Sequence, residues 1–235
     1  MTVERLLLWR HGRTEWNASG RFQGQYDTML DATGIAQARE AAPYLAAEAP
    51  TAIYASDLSR ALTTAQALAD LVGLPVHADP RLRETSLGDW EGLDRAGVQQ
   101  RFPTQFADWT SGRRANPGNG ETALDVAARA NELVAEIEHA GSGTVVLAAH
   151  GGSLKALTAS LIGIPPQLWS LLAPLRNCHW SELRRTSGGQ WRLHGHNIYP
   201  LSDPRTLTRE ELNVDSDAGD SQIGTPRPSA TDSLH

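Results

Sequence analysis

Two short segments of this chain share one pattern, an apolar run ended at once by His-Gly: LLLWRHG at 6–12 and VVLAAHG at 145–151. Runs of Leu, Val and Ala without polar alternation fit strands buried on both faces, as in the interior of a parallel sheet. Ligands of such sheets bind just beyond the carboxyl ends of the strands. His11 and His150 can therefore point into one crevice. On the strand pattern alone the two histidines are interchangeable.

The rest of the chain fills in around these strands. AIYA at 52–55 is a further strand, leading through Ser56-Asp57 into the helix LSRALTTAQALADLV, which Gly73 and Pro75 close. A helix from Thr33 to Glu48, with Thr33 as its cap and a kink at Pro43, precedes it. PVHA at 75–78 reads as a short strand. Residues 79–120 have little regular pattern, and a stretch that long inside a domain is expected to serve a site and to carry short helices. A helix over 122–139, the strand TVVLAA at 144–149 and a helix SLKALTASLI follow. CHWSEL and QWRLHGHN flank Ser187-Gly188-Gly189 as a hairpin. Strands separated by helices imply a mainly parallel sheet covered on both faces. One α/β domain over 1–199 is expected, with a polar, flexible tail over 200–235 rich in Asp, Ser, Pro, Gly and Thr.

Charge narrows the function. A net charge of -6 offers no basic footprint for a nucleic acid backbone. Lys155 is the only lysine, so cationic contacts fall to arginine, whose planar fork suits phosphate oxygens. With Cys178 as the single cysteine, neither an intramolecular disulfide nor a cysteine zinc cluster can form. No apolar run approaches the roughly 20 residues of a membrane span, and LLLW is too short for a signal peptide. A soluble cytoplasmic protein is the expectation.

Arg60 lies in the first turn of the helix after AIYA, where unpaired amides and the dipole suit an anion. With Arg10 and the two histidines it would form a phosphate cage without metal. RHGRTEWN, SDLSRALTTA, RLRETSLGDWEG and AAHGGSL, in that order, resemble the histidine phosphatase superfamily, in its phosphoglycerate-mutase-like branch, over roughly residues 5–199. The resemblance implies a three-layer α/β sandwich with a mainly parallel mixed sheet. It makes His11 the nucleophile that becomes a phosphohistidine, with Arg10, Arg60 and His150 holding the phosphoryl oxygens. It makes Glu84 the acid that protonates the leaving oxygen and then activates water; on residue type alone Asp89 and Glu91 compete for that task. Asn17, Gln23 and Gly151 would complete the phosphate and substrate contacts, with Thr14 at the rim. No cofactor is implied, the partner is a small phosphorylated metabolite, and a homodimer is expected.

Such roles agree with elementary chemistry. A neutral imidazole attacks through one nitrogen while the other donates to a carbonyl. Neighbouring arginines disfavour the imidazolium and keep His11 neutral.

Cys178 and Arg184 have the C-x5-R spacing of thiolate phosphatases, but the intervening His-Trp-Ser-Glu-Leu lacks glycine and carries a carboxylate. His194, His196, His179 and His150 are conceivable ligands of a metal hydrolase, without a carboxylate at a recognisable spacing. A non-catalytic phosphate-binding module would need a missing catalytic residue. A mutase of this kind carries an ERxYG-type segment where this chain has ETSLGDWEG, a departure that favours water as final acceptor. Spacing within the motifs is similar to that of glucosyl-3-phosphoglycerate phosphatases, and alpha-ribazole and broad-specificity phosphatases share much of it. Arg113 and Arg114 could contact a substrate carboxylate.

Overall fold

The structure is a computed structural model that describes residues 2–111 and 116–200. Arg113, Arg114 and the polar segment from residue 201 onward lie outside the described residues. Among the described residues, strands β1 (Val3–Arg10), β2 (Pro50–Ala55), β3 (Val76–Ala78), β4 (Gly143–Ala149), β5 (Trp180–Arg185) and β6 (Trp191–Ile198) form one six-stranded sheet. Its order is β3-β2-β4-β1-β5-β6. The first four are parallel, and β5 and β6 add an antiparallel hairpin beside β1. The helices are α1 (Glu15–Ala18), α2 (Ala32–Ala47), α3 (Ser59–Val72), α4 (Arg95–Arg101), α5 (Pro103–Thr110), α6 (Ala123–Ala140) and α7 (Gly151–Leu161).

The unbroken apolar runs of β1 and β4 are explained by burial on both faces. Leu6, Leu8, Val145 and Leu147 pack with Leu133 and Val134 of α6 and Leu154 and Leu157 of α7. The alternate set, Leu7, Trp9, Ile53 and Val146, packs with Ala41 and Leu45 of α2 and Ala65 and Leu68 of α3. Side chains on a strand alternate faces, so one run supplies two cores. Each fully buried Leu or Val contributes about 1.5–3 kcal/mol. The result is the expected three-layer sandwich with β1 and β4 at its centre.

The irregular stretch after β3 carries the short helices expected of it, with 3-10 turns at Pro80–Leu82, Gly88–Trp90 and Pro117–Asn119 besides α4 and α5. Phe22, Leu87, Trp90, Val98 and Phe106 give it a small core of its own.

Three boundaries differ from the sequence reading. Helix α2 is capped by Asp31, whose Oδ1 accepts from the Gly34 amide at 2.7 Å, rather than by Thr33. Thr33 instead accepts from Arg13 at 2.9 Å. Pro43 sits inside α2, which runs on to Ala47. Helix α7 starts at Gly151, two residues earlier than the apolar pattern indicates, because Gly151 and Gly152 are helical despite their low propensity. Strand β5 starts at Trp180 because Cys178 has a left-handed φ of 57°. Its amide turns to the carbonyls of Arg10 (3.1 Å) and His11 (3.2 Å).

Candidate active site

The carboxyl ends of β1 and β4 lie side by side, with Arg10 paired to Ala149 and the His11 amide donating to Ala149 O at 2.9 Å. His11 and His150 therefore share the crevice, both fully buried, with ring centroids 5.1 Å apart. His11 Nδ1 lies 2.7 Å from Gly12 O, which sets the proton on Nδ1 and turns the lone pair to Nε2. The Gly12 amide in turn donates to Thr64 Oγ1 at 3.1 Å. A side chain at Gly12 would not fit, since its Cβ would lie 2.3 Å from Gly34 O. Burial, reinforced by the charges of Arg60 and Arg10, holds the His11 imidazole well below the usual histidine range. Burial thus ranks ahead of the arginines that the sequence brings to mind. The ring is neutral at pH 7.

Arg60 enters from the first turn of α3 and is buried. Its terminal nitrogens donate to Gly24 O and Tyr26 O, each at 2.8 Å, which ties down the loop after α1. Its Nε donates to His150 Nδ1 at 3.1 Å. A guanidinium can only donate, so His150 Nδ1 must be the acceptor and the ring proton must sit on Nε2. That Nε2 is buried with no hydrogen-bond partner among the described residues. A buried donor without an acceptor is costly, and an anion oxygen delivered to the crevice would satisfy it. Burial, then Arg60, His11 and Arg10, keep His150 neutral by pushing it well below its ordinary value.

Glu84 follows the turn at Pro80–Leu82 and is buried. Its Oε2 accepts from the Gly152 amide at 2.9 Å and its Oε1 from the amides of Ser153 at 2.8 Å and Thr85 at 2.7 Å. The anion-binding amides of a helix start are therefore used by Glu84 at α7, directly after His150. Asp89 and Glu91 are engaged elsewhere: Asp89 accepts from Asn119 at 2.9 Å, and Glu91 from the amides of Gln25 at 3.0 Å and Leu87 at 3.1 Å.

The remaining predicted residues lie beside these groups. Gly151 packs beside Arg10, since a Cβ there would stand in ordinary contact with the guanidinium, 3.4 Å away. Asn17 Oδ1 accepts from the Thr14 amide at 3.0 Å, and Gln23 Oε1 accepts from the hydroxyls of Thr14 (3.1 Å) and Thr28. Thr14 is not at the rim: it is fully buried as the cap of α1, its hydroxyl bonded to Asn17 and Gln23. Four residues were not singled out from sequence. Asn177 bridges His11 O at 3.0 Å and Asn17 Oδ1 at 3.3 Å, while Gln25, Glu121 and Arg129 surround the main chain of Glu84. Asn177 lies in a segment without periodic pattern, and the other three look like ordinary surface polar residues in a sequence.

The rival constellations do not assemble. Cys178 is buried, its thiol driven well up by burial, and Arg184 is exposed on β5, where it pairs with Glu182 at 2.6 Å. Of the four histidines, His150 belongs to the crevice. His179 faces Asn177 O at 3.0 Å, while His196 bridges Ser181 and Ala173 O, each at 2.7 Å. Among the described residues no group of three or more His, Cys, Asp or Glu is placed to hold a metal ion. No described helix is long and apolar enough to cross a membrane.

Residues 6–199 match the histidine phosphatase superfamily (branch 1). The chain is 46% identical over 191 residues to a glucosyl-3-phosphoglycerate phosphatase of Mycolicibacterium vanbaalenii, covering 78% of this chain and 85% of the relative. It is 36% identical over 181 residues to a probable phosphoglycerate mutase of Yersinia enterocolitica, covering 76% and 83% of the two chains. The structure of a mycobacterial glucosyl-3-phosphoglycerate phosphatase complexed with VO3 superposes with a TM-score of 0.80 at 39% identity, covering 84% of this chain and all of that one. By profile, by sequence and by fold, the chain is a phosphomonoesterase of the histidine phosphatase superfamily, branch 1.

Proposed function

We propose that this enzyme hydrolyses a small-molecule phosphomonoester through a phosphohistidine on His11, without a metal cofactor. The carrying observation is the buried triangle of His11, His150 and Arg60, in which one imidazole presents a lone pair and the other a hydrogen-bond donor. His11 Nε2 attacks phosphorus as the bond to the leaving oxygen breaks. Arg10, Arg60 and His150 Nε2–H hold the phosphoryl oxygens, and the two guanidiniums supply positive charge that a metal gives in other hydrolases. Glu84 protonates the leaving oxygen, then takes a proton from the water that attacks the phosphohistidine, which restores His11 and releases phosphate. Asn17, Gln23, Thr14 and Gly151 shape the phosphate and substrate pocket.

For the phosphoryl donor we propose glucosyl-3-phosphoglycerate, alone or among a broader set of phosphomonoesters. Similarity to relatives of that name supports it, and ETSLGDWEG in place of an ERxYG-type segment favours hydrolysis over mutase transfer. The test compares inorganic phosphate released from glucosyl-3-phosphoglycerate, nucleotides and sugar phosphates with interconversion of 2- and 3-phosphoglycerate. A clear preference in kcat/KM for glucosyl-3-phosphoglycerate is expected. Interconversion without phosphate release would overturn hydrolysis, and equal kcat/KM across all classes would overturn a dedicated substrate.

A further inference from the structure

Helix α6 packs against the sheet through its apolar face, yet Arg129 projects from it into a set of contacts unrelated to that packing. Its Nη1 donates to Arg81 O at 2.7 Å and its Nη2 to Glu84 O at 2.9 Å, so one guanidinium holds both the Pro80–Leu82 turn and the main chain of Glu84 just past its end. Glu121 accepts bidentately from Arg129, with Oε1 at 2.8 Å from Nε and Oε2 at 2.9 Å from Nη2. Glu121 Oε2 also accepts from the Ser86 amide at 2.8 Å, beyond the far end of the turn. Gln25 Nε2 closes the network, 3.2 Å from Glu84 O and 3.3 Å from Glu121 Oε2.

We propose that Arg129, fixed by Glu121 and backed by Gln25, is a positioning residue that aims the Glu84 carboxyl by clamping its main chain. The inference rests on the assignment of Glu84 as the acid. The carboxyl has little tolerance for movement. It spans the Gly152 and Ser153 amides, and a Cβ at Gly152 would lie only 2.6 Å from Glu84 Oε1. Glu84 lies just past a single 3-10 turn whose backbone hydrogen bonds end at the Arg83 amide, so the turn does not itself hold the Glu84 main chain. A rigid clamp from a long helix supplies what the turn lacks, and planar bidentate pairing is a task lysine cannot perform. Burial raises the Glu121 carboxyl, but hydrogen bonds from Arg129 and the Ser86 amide outweigh it and leave Glu121 below its ordinary value. The clamp is therefore charged at working pH.

The test uses Arg129→Gln, Arg129→Lys, Gln25→Ala, Glu84→Gln and the Arg129→Gln/Glu84→Gln double variant. Each is assayed on p-nitrophenyl phosphate and on an alkyl phosphate that the enzyme turns over. A displaced acid matters for a poor leaving group and little for a good one. Arg129→Gln should lose on the order of tenfold to a hundredfold in kcat/KM on the alkyl ester, far less on the aryl ester, and little further when Glu84 is already Gln. Arg129→Lys should fail to restore the alkyl rate. Equal losses on both esters, or independent losses in the double variant, would overturn the proposal. If Arg129→Gln does not fold, Gln25→Ala carries the test, with a smaller loss confined to the alkyl ester expected and a substrate-independent effect overturning it. Failure of Glu84→Gln itself to distinguish the two esters would instead remove the acid assignment.

Discussion

Arg60 Nε donates to His150 Nδ1 at 3.1 Å, and this one bond fixes the protonation of the second histidine. Because the guanidinium has no lone pair to offer, the imidazole must accept at Nδ1 and carry its proton at Nε2. His11, the proposed nucleophile, has the opposite tautomer, with its proton on Nδ1 toward Gly12 O. Two like residues at two like strand ends thus present opposite faces through their neighbours, His150 a donor at Nε2 and His11 a lone pair at Nε2. His150→Gln keeps a donor near the same place and should retain part of the phosphoryl-transfer rate, whereas His150→Ala should lose on the order of a hundredfold or more in kcat. Steady-state kinetics of the two variants checks this, and equal losses would contradict a donor role.

Stability should fall on the acid side of neutrality. Both buried histidines are neutral in the fold and bind protons only well below the ordinary value near 6.5. In the unfolded chain they take up protons as pH drops through about 6.5, so the unfolded state binds more protons there and stability declines with falling pH. Each contributes a slope of up to about 1.4 kcal/mol per pH unit between its unfolded and folded pKa. Denaturant titrations from pH 8 to 5 should show this decline, shallower in His150→Gln. A flat profile above pH 5 would contradict it.

Glu84→Gln should lose about 10²-fold or more on alkyl phosphates and markedly less on aryl phosphates with good leaving groups. Initial rates on matched esters check the outcome. The amide keeps the shape of the carboxyl but leaves nothing to protonate the departing oxygen.

Gly12→Ala should be destabilised by about 1–3 kcal/mol. Its Cβ would meet Gly34 O at 2.3 Å, and neither backbone can yield without moving the start of α2 or the end of β1. A chemical denaturation midpoint gives the answer. Activity should fall with it, because Gly12 O orients the His11 ring.

Cys178→Ser should keep its phosphatase activity, since the thiol is buried and raised by burial rather than poised as a nucleophile. Inactivation of the folded enzyme by a thiol reagent at neutral pH would count against this.

The parallel core was readable because the Leu6–Trp9 and Val145–Ala149 runs need burial on both faces, and the His-Gly ends marked where the crevice opens. What the residues alone could not settle was how the two histidines differ, since that depends on Arg60 arriving from α3 and on Gly12 O, neither of which is a property of the strand pattern. The resemblance puts Thr14 at the rim, yet tertiary contacts bury its hydroxyl as a cap. Arg129 was invisible for a related reason. On a helix that also bears Glu132 and Glu136, an arginine reads as solvated surface, and only the tertiary approach of the Arg81–Glu84 turn makes it a clamp.

The central claim is the phosphoryl group on His11, and it is tested most directly by quenching the enzyme during turnover of a 32P-labelled phosphomonoester and mapping the labelled peptide. Acid-labile, base-stable label on the peptide containing His11, absent in His11→Ala, is the predicted result. Label on His150, or full turnover by His11→Ala, would contradict the account.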